Sequence, residues 1–168
     1  TSLAKIGSEK AEKLLVRILR EAEDPDSRRK AITALKEVHS ERVRQAVFDA
    51  LDDSDESVRN CAAAAVGEMG VIHAESKLLA LLPKESADTQ ISIIFALGEI
   101  RSQNAVEMII PFLRTSHSEL AQQAASSLGK IHTPRAVQEL VAALEEKNDE
   151  MTWTIIEALG ETRSADVI

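Results

Sequence analysis

The side chains in this sequence that could do chemistry are few, and they do not assemble into a reaction centre. Histidines stand at 39, 73, 117 and 132, with no His-Glu dipeptide among them. His39 and His132 occupy equivalent places in an internal repeat, three repeat lengths apart, so a stack of such repeats holds them far from one shared metal ion. Cys61 is the sole cysteine, which excludes an intrachain disulfide and a cysteine-based zinc site, and no histidine falls where it could serve Cys61 as a base. The six glycines form no phosphate-cradling loop; helix ends and tight packing account for them. The expectation is no catalytic residue, no metal and no cofactor.

Composition narrows the partners. A net charge of −8 opposes nucleic-acid binding, which needs a basic stripe to displace counterions from phosphates. Arg28-Arg29-Lys30 is the only basic cluster, and it reads as a solvated face. No apolar run approaches the roughly 20 residues that span a bilayer, and no basic-then-apolar leader opens the chain, so no membrane partner is expected; the single cysteine fits a cytoplasmic setting. Hydrophobic content of 44% across 168 residues suffices for a core, and an aromatic share of only 2% favours close-packed helices over sheets.

The elements follow from a repeat. Leu35, Val66, Leu97, Leu128 and Leu159 stand 31 residues apart, and a second register, Leu51, Leu82, Leu113 and Leu144, keeps the same spacing. Each repeat therefore holds two apolar segments. In the first repeat the pair is Leu19 and Leu35, with one extra residue in the loop near Pro25. Val58, Ala62, Ala65, Val66 and Met69 fall on one face of a 3.6-residue helix, without the alternation of a strand.

Ser8, Ser40, Ser102, Thr133 and Ser164 stand where first helices need N-caps, and Asp24, Asp55, Ser86 and Asn148 where second helices do. Val71 and His117 fill the same columns with poorer capping residues. Pro111 should interrupt a first helix.

A two-helix unit cannot bury its own stripe, so the units must stack, giving an all-α, right-handed solenoid of antiparallel helix pairs. The units are about 8–39, 40–70, 71–101, 102–132 and 133–163, one domain over 1–168. Leu3 to Gly7 reads as the tail of a preceding repeat and Ser164 to Ile168 as the start of another, as expected of a fragment of a longer protein. Leu3, Ile6, Val167 and Ile168 then leave apolar edges that predict flanking repeats or end-to-end self-association.

Asp55-Glu56-Ser57-Val58-Arg59-Asn60-Cys61-Ala62-Ala63-Ala64-Ala65-Val66-Gly67-Glu68-Met69 resembles the D-x-x-V-R-x-x-A-A-x-A-L-G-x-I signature of the short HEAT repeat of bacteria and archaea, the phycobilin lyase type. The resemblance covers almost the whole chain. It implies the solenoid, but leaves function open, because the repeat serves lyase subunits, signalling proteins and scaffolds alike. Another HEAT-fold enzyme family, deoxyhypusine hydroxylase, carries His-Glu pairs that this chain lacks.

Second helices of such solenoids line the concave surface, where partners bind. Off the core stripe, the columns read Arg29-Lys30, Asn60-Cys61, Ile91-Ser92, Gln122-Gln123 and Trp153-Thr154, and then Thr33, Ala64, Phe95, Ser126 and Glu157. Ile91, Phe95 and Trp153 are large apolar groups on a face expected to be wet; they predict anchors for a partner, the alternative being local packing against the neighbouring helix. Asn60 and Gln122 would supply polar contacts between them. Glu37, Glu68, Glu99, Lys130 and Glu161 form an edge, mostly acidic, that either attracts a basic partner or is a solvated helix end. The function these features predict is a non-catalytic scaffold for a protein or peptide; the alternative, carried by the resemblance, is a subunit of a phycobilin lyase-like enzyme handling a tetrapyrrole.

Overall fold

In the computed structural model the backbone is described for residues 2–146 and 149–165, and side chains for 9–146 and 151–160. Among the described residues there are ten α-helices and no strand. They pair as α1 (Ser2–Glu21) with α2 (Pro25–Leu35), α3 (Glu41–Asp49) with α4 (Glu56–Glu68), α5 (Glu75–Leu81) with α6 (Ala87–Glu99), α7 (Val106–Ile109) with α8 (Ser118–Ile131), and α9 (Pro134–Glu145) with α10 (Asp149–Ala165). First helices of the middle pairs are lengthened by 3-10 turns at Ala50–Asp52, Ile72–Ala74, Gln103–Ala105 and Ile110–Arg114.

Local chemistry explains most boundaries. The Asp24 carboxylate accepts from the Asp26 and Ser27 amides, with Pro25 preset for the first turn, and Asp55 accepts from the Ser57 amide. Ser40 caps through the Val43 amide and Thr133 through the Ala136 amide. His117 caps too: its Nδ1 accepts from the Leu120 amide at 3.3 Å, so an imidazole does what a hydroxyl does elsewhere. Pro111 limits α7 to one turn, after which the chain continues as a 3-10 segment.

Other expected caps differ. Ser8 and Ser164 lie inside α1 and α10, which run unbroken through them; Gly7 and Ser8 lower helix propensity without forbidding it. Leu3 to Gly7 and Ser164 therefore continue these helices rather than forming separate ones. Ser86 and Ser102 stand at helix starts without capping through their hydroxyls; Ser102 Oγ instead donates to Glu75 Oε1 of the preceding pair. Asn148, Val167 and Ile168, and the side chains of Leu3 and Ile6, lie outside the described residues.

Second helices leave by a shared device. Gly70 and Arg101, one period apart, both take positive φ (63° and 52°), and the next residue's amide reaches back to close the turn: Val71 to the Val66 carbonyl and Ser102 to the Leu97 carbonyl. His132 ends α8 with φ 53°.

The core runs continuously between the layers. The anchors Leu35, Val66, Leu97 and Leu128 are completely buried, as are Leu51, Leu78, Ile109 and Leu140 from the first helices. Second helices touch in chain order, α2 on α4, α4 on α6, α6 on α8 and α8 on α10, so each repeat buries its stripe against its neighbours. Glycine in the anchor motif sets their distance. A Cβ built on Gly67 would lie 2.7 Å from the Ala96 Cα, one on Gly98 2.7 Å from Ser127 Oγ, and one on Gly129 2.8 Å from the Ala158 Cβ. Lys36 holds this column in the first repeat, where α2 has already ended at Leu35.

Candidate partner-binding face

The row α2, α4, α6, α8, α10 offers one continuous surface, and its columns are joined by side-chain bonds between repeats. Asn60 Oδ1 accepts from Ser92 Oγ. Cys61 Sγ lies 3.9 Å from Thr33 Oγ1 and donates to the Arg29 carbonyl at 3.8 Å, so the one thiol serves the packing of α4 on α2. Gln123 Nε2 donates to Ser127 Oγ, which in turn donates to the Ile94 carbonyl at 2.9 Å in the buried seam. Asn60 and Gln122 are half-buried, on either side of Ile91 in their column.

The apolar candidates differ in setting. Ile91 is half-buried and packed against the core. Phe95 is half-buried, with the Lys130 ammonium 5.5 Å from its ring centroid. Trp153 is 75% exposed. It shares a column with Asn60, Ile91 and Gln122, which the next second helix partly covers; α10 is the last of the row, and no described helix covers Trp153.

The acidic edge is largely paired. Glu68 binds Lys36 at 2.9 Å, which raises the lysine above its usual range through that hydrogen bond, and Glu99 binds Lys130. Each pair ties one repeat to the next, so Glu68 and Glu99 are ion-paired where bare carboxylates were one expectation. The Glu161 side chain lies outside the described residues.

The second-helix row also carries two ion-paired arginines: Arg28, from the cluster expected on a solvated face, and Arg59. Arg28 is buried. Its Nε and Nη2 each donate to the Asp53 carboxylate at 2.7 Å, and Nη1 donates to the Ala22 and Glu23 carbonyls. One period later Arg59 repeats the arrangement, donating twice to Glu85 at 2.7 and 2.8 Å and to the Asp53 carbonyl. Asp53 thus receives both arginines, and the guanidiniums lock consecutive loops together. The available signal was the arginine shared by residues 28 and 59 one period apart.

Among the described residues no group of three or more His, Cys, Asp or Glu side chains could hold a metal ion, and no helix is long and apolar enough to cross a membrane. What the face offers is an array of half-buried apolar and amide groups between ion-paired rims.

Comparison with known proteins agrees with this architecture. The HEAT repeats family matches residues 12–82 and again 75–160. No curated protein matches the chain in sequence. Among solved structures, the complex of CpcE and CpcF of phycocyanin lyase from Nostoc sp. PCC7120 is similar at a TM-score of 0.70 and 21% identity, over 92% of this chain and 65% of that one. This chain therefore spans just under two thirds of the lyase-complex chain it matches. An engineered protein is similar at a TM-score of 0.66 and 21% identity, over 96% of this chain and 82% of its own. At these identities the likeness is one of fold.

Proposed function

We propose that this chain, which belongs to the HEAT-repeat family, is a non-catalytic scaffold that holds a protein or peptide partner across its row of second helices. The observation that supports it is the centre of that row: Phe95 and Ile91 lie half-buried, with the amides of Asn60 and Gln122 on either side of Ile91 and the Glu68–Lys36 and Glu99–Lys130 pairs along the rim. Aromatic and aliphatic groups of this kind, ringed by polar contacts, are where interfaces concentrate binding energy. Lys130 over the Phe95 ring keeps that side chain in place before a partner arrives.

The test is affinity capture from lysate of the source organism with the wild-type chain, and with a Phe95→Ala, Gln122→Ala double variant whose helical content is checked by circular dichroism. Loss of one reproducible partner on the folded variant supports the reading; the same partner retained at the same yield overturns it.

The fold likeness over 92% of this chain to the phycocyanin lyase complex favours one second reading, a subunit of a phycobilin lyase-like enzyme. Mixing the chain with free bilin and its apoprotein separates the two. A shift in bilin absorbance that depends on the chain supports the lyase reading, and an unchanged spectrum supports the scaffold.

A further inference from the structure

One joint among the first helices departs from the pattern that its neighbours share. Between the first and second repeats, Glu12 accepts from Ser40 Oγ and lies 3.9 Å from Arg42 Nη1. Between the third and fourth, Glu75 accepts from Ser102 Oγ and from Asn104 Nδ2. A carboxylate on one first helix thus holds the start of the next. In the same register the second and third repeats place Arg44, Val71 and His73. The acceptor has become a cation, and neither residue that meets it is an acid.

Arg44 is left without an internal partner. It is half-buried on α3, its Nε is buried, and no described group accepts from that atom. Arg28 and Arg59, by contrast, each give two bonds to one carboxylate and further bonds to carbonyls. The acids of the Arg44 column, Glu12 and Glu75, are bound at their own joints, and Asp52 is paired with Lys77. Glu41, one turn earlier on α3, is exposed and forms no ion pair with Arg44 among the described residues. The Nη atoms, unlike Nε, are not buried, so the guanidinium is fixed at its base and open at its tip. Its surroundings include uncommitted apolar surface. Phe48 stands one turn after Arg44 on the same face of α3, and the His73 ring packs on it with centroids 4.9 Å apart. Ile72, beside His73, is 72% exposed, where the other repeats hold Glu41, Gln103 and Pro134. Described repeats flank this joint on both sides, so its exposed groups belong to the interior of the stack rather than to either end.

We propose that Arg44, Ile72 and His73 form a docking site for an acidic segment of a protein partner, on the first helices and apart from the second-helix row. A carboxylate of the segment takes both Nη atoms of Arg44 end-on, a bidentate pairing that a planar guanidinium fits and an ammonium does not. A neighbouring aliphatic or aromatic side chain of the segment covers Ile72, and the exposed His73 offers a ring N–H between them. Charge decides the class of partner: a half-buried cation with no carboxylate of its own attracts an anion, although the whole chain carries −8. Because packing already holds the guanidinium, little side-chain freedom is lost on binding.

The experiment pans a random phage-displayed peptide library on the full chain, after depletion on an Arg44→Gln chain whose helical content is checked by circular dichroism. If that variant fails to fold, Ile72→Ser, at an exposed position, serves for the depletion. Recovered peptides are synthesised with a fluorescent label and titrated by anisotropy. The expected peptides carry Asp or Glu beside a large apolar residue, and their affinity falls with added salt. Arg44→Gln should weaken them about tenfold to a hundredfold, the range of a lost hydrogen bond to a charged group. Arg44→Lys and Ile72→Ser should each weaken them less, and Arg17→Gln, at an exposed arginine of α1, should leave them unchanged. Recovery of no peptide, peptides without a preference for acidic residues, or equal affinity for the Arg44→Gln chain each overturns the proposal. Inorganic phosphate is the competing probe: phosphate bound at Arg44 with no acidic peptide recovered assigns the site to a free anion and also overturns it.

Discussion

Arg28 and Asp53 meet through two parallel bonds of 2.7 Å, between the second helix of one repeat and the loop of the next. Both side chains are close to nine-tenths buried, so the charges are shielded from water and depend on each other. Removing one partner strands the other, at a cost of about 3 kcal/mol. Arg28→Ala should therefore lower the thermal midpoint by roughly 6–12 °C for a chain of this size. Arg28→Lys should recover only part of this, because an ammonium cannot make both carboxylate bonds and the two carbonyl bonds of the guanidinium fork. A thermal melt of the lysine variant that matches wild type contradicts this account.

Gly67 and Gly160 hold the same place in the anchor motif and should respond oppositely to alanine. At Gly67 the new methyl would sit 2.7 Å from the backbone of α6, which must move, and overpacking of this kind costs about 1–3 kcal/mol. At Gly160 the space is open, and alanine gains up to about 1 kcal/mol of helix propensity. Denaturant melts of the two variants should bracket wild type; a Gly67→Ala chain as stable as wild type would mean that the second helices are not held at the separation described.

Arg101 stands where the previous repeat has Gly70, and both are left-handed. A side chain there costs about 1–2 kcal/mol that glycine does not incur, against about 0.4–1 kcal/mol for the greater freedom of an unfolded glycine. Arg101→Gly should raise stability by a few tenths to about 1 kcal/mol, whereas Gly70→Arg should lower it. Equilibrium unfolding of the pair checks both signs.

The fold was legible because stacking writes itself into the sequence. Each anchor from Leu35 to Leu128 meets the same surroundings, so one selection acts at every 31st position. The ends and the electrostatics were harder to read. Arg28 looked like part of an exposed Arg28-Arg29-Lys30 cluster, since its partner Asp53 lies in another repeat's loop and comes near only when the repeats stack. Trp153 and Ile91 share a column and look alike in sequence, yet one is exposed and the other packed, because α8 packs on α6 beside Ile91 while no described helix packs beside Trp153. His117 was a weak cap by residue type, although its ring nitrogen reaches the Leu120 amide.

Acid should loosen the helix starts. Asp24 is held below the ordinary carboxylate range, first by the Ser27 hydroxyl and then by the Ser27 amide; Asp55 is lowered in the same way by Ser57, and Glu56 by Ser86 and Thr89 of the next repeat. A carboxyl group with a lower pKa folded than unfolded binds its proton more readily in the unfolded chain. Its contribution is whole above the ordinary carboxylate pKa and is lost as the pH falls through the lower, folded value. Thermal midpoints should thus be level from about pH 7 to about pH 5 and fall increasingly below about pH 4. Asparagine caps nearly as well as aspartate but carries no titrating proton. An Asp24→Asn, Asp55→Asn chain should keep its helices at neutral pH and show a shallower acid decline, with Glu56 supplying part of the remaining slope. Melting curves across this pH series decide it: identical acid slopes for the two chains would remove the capping carboxylates from the account of acid sensitivity.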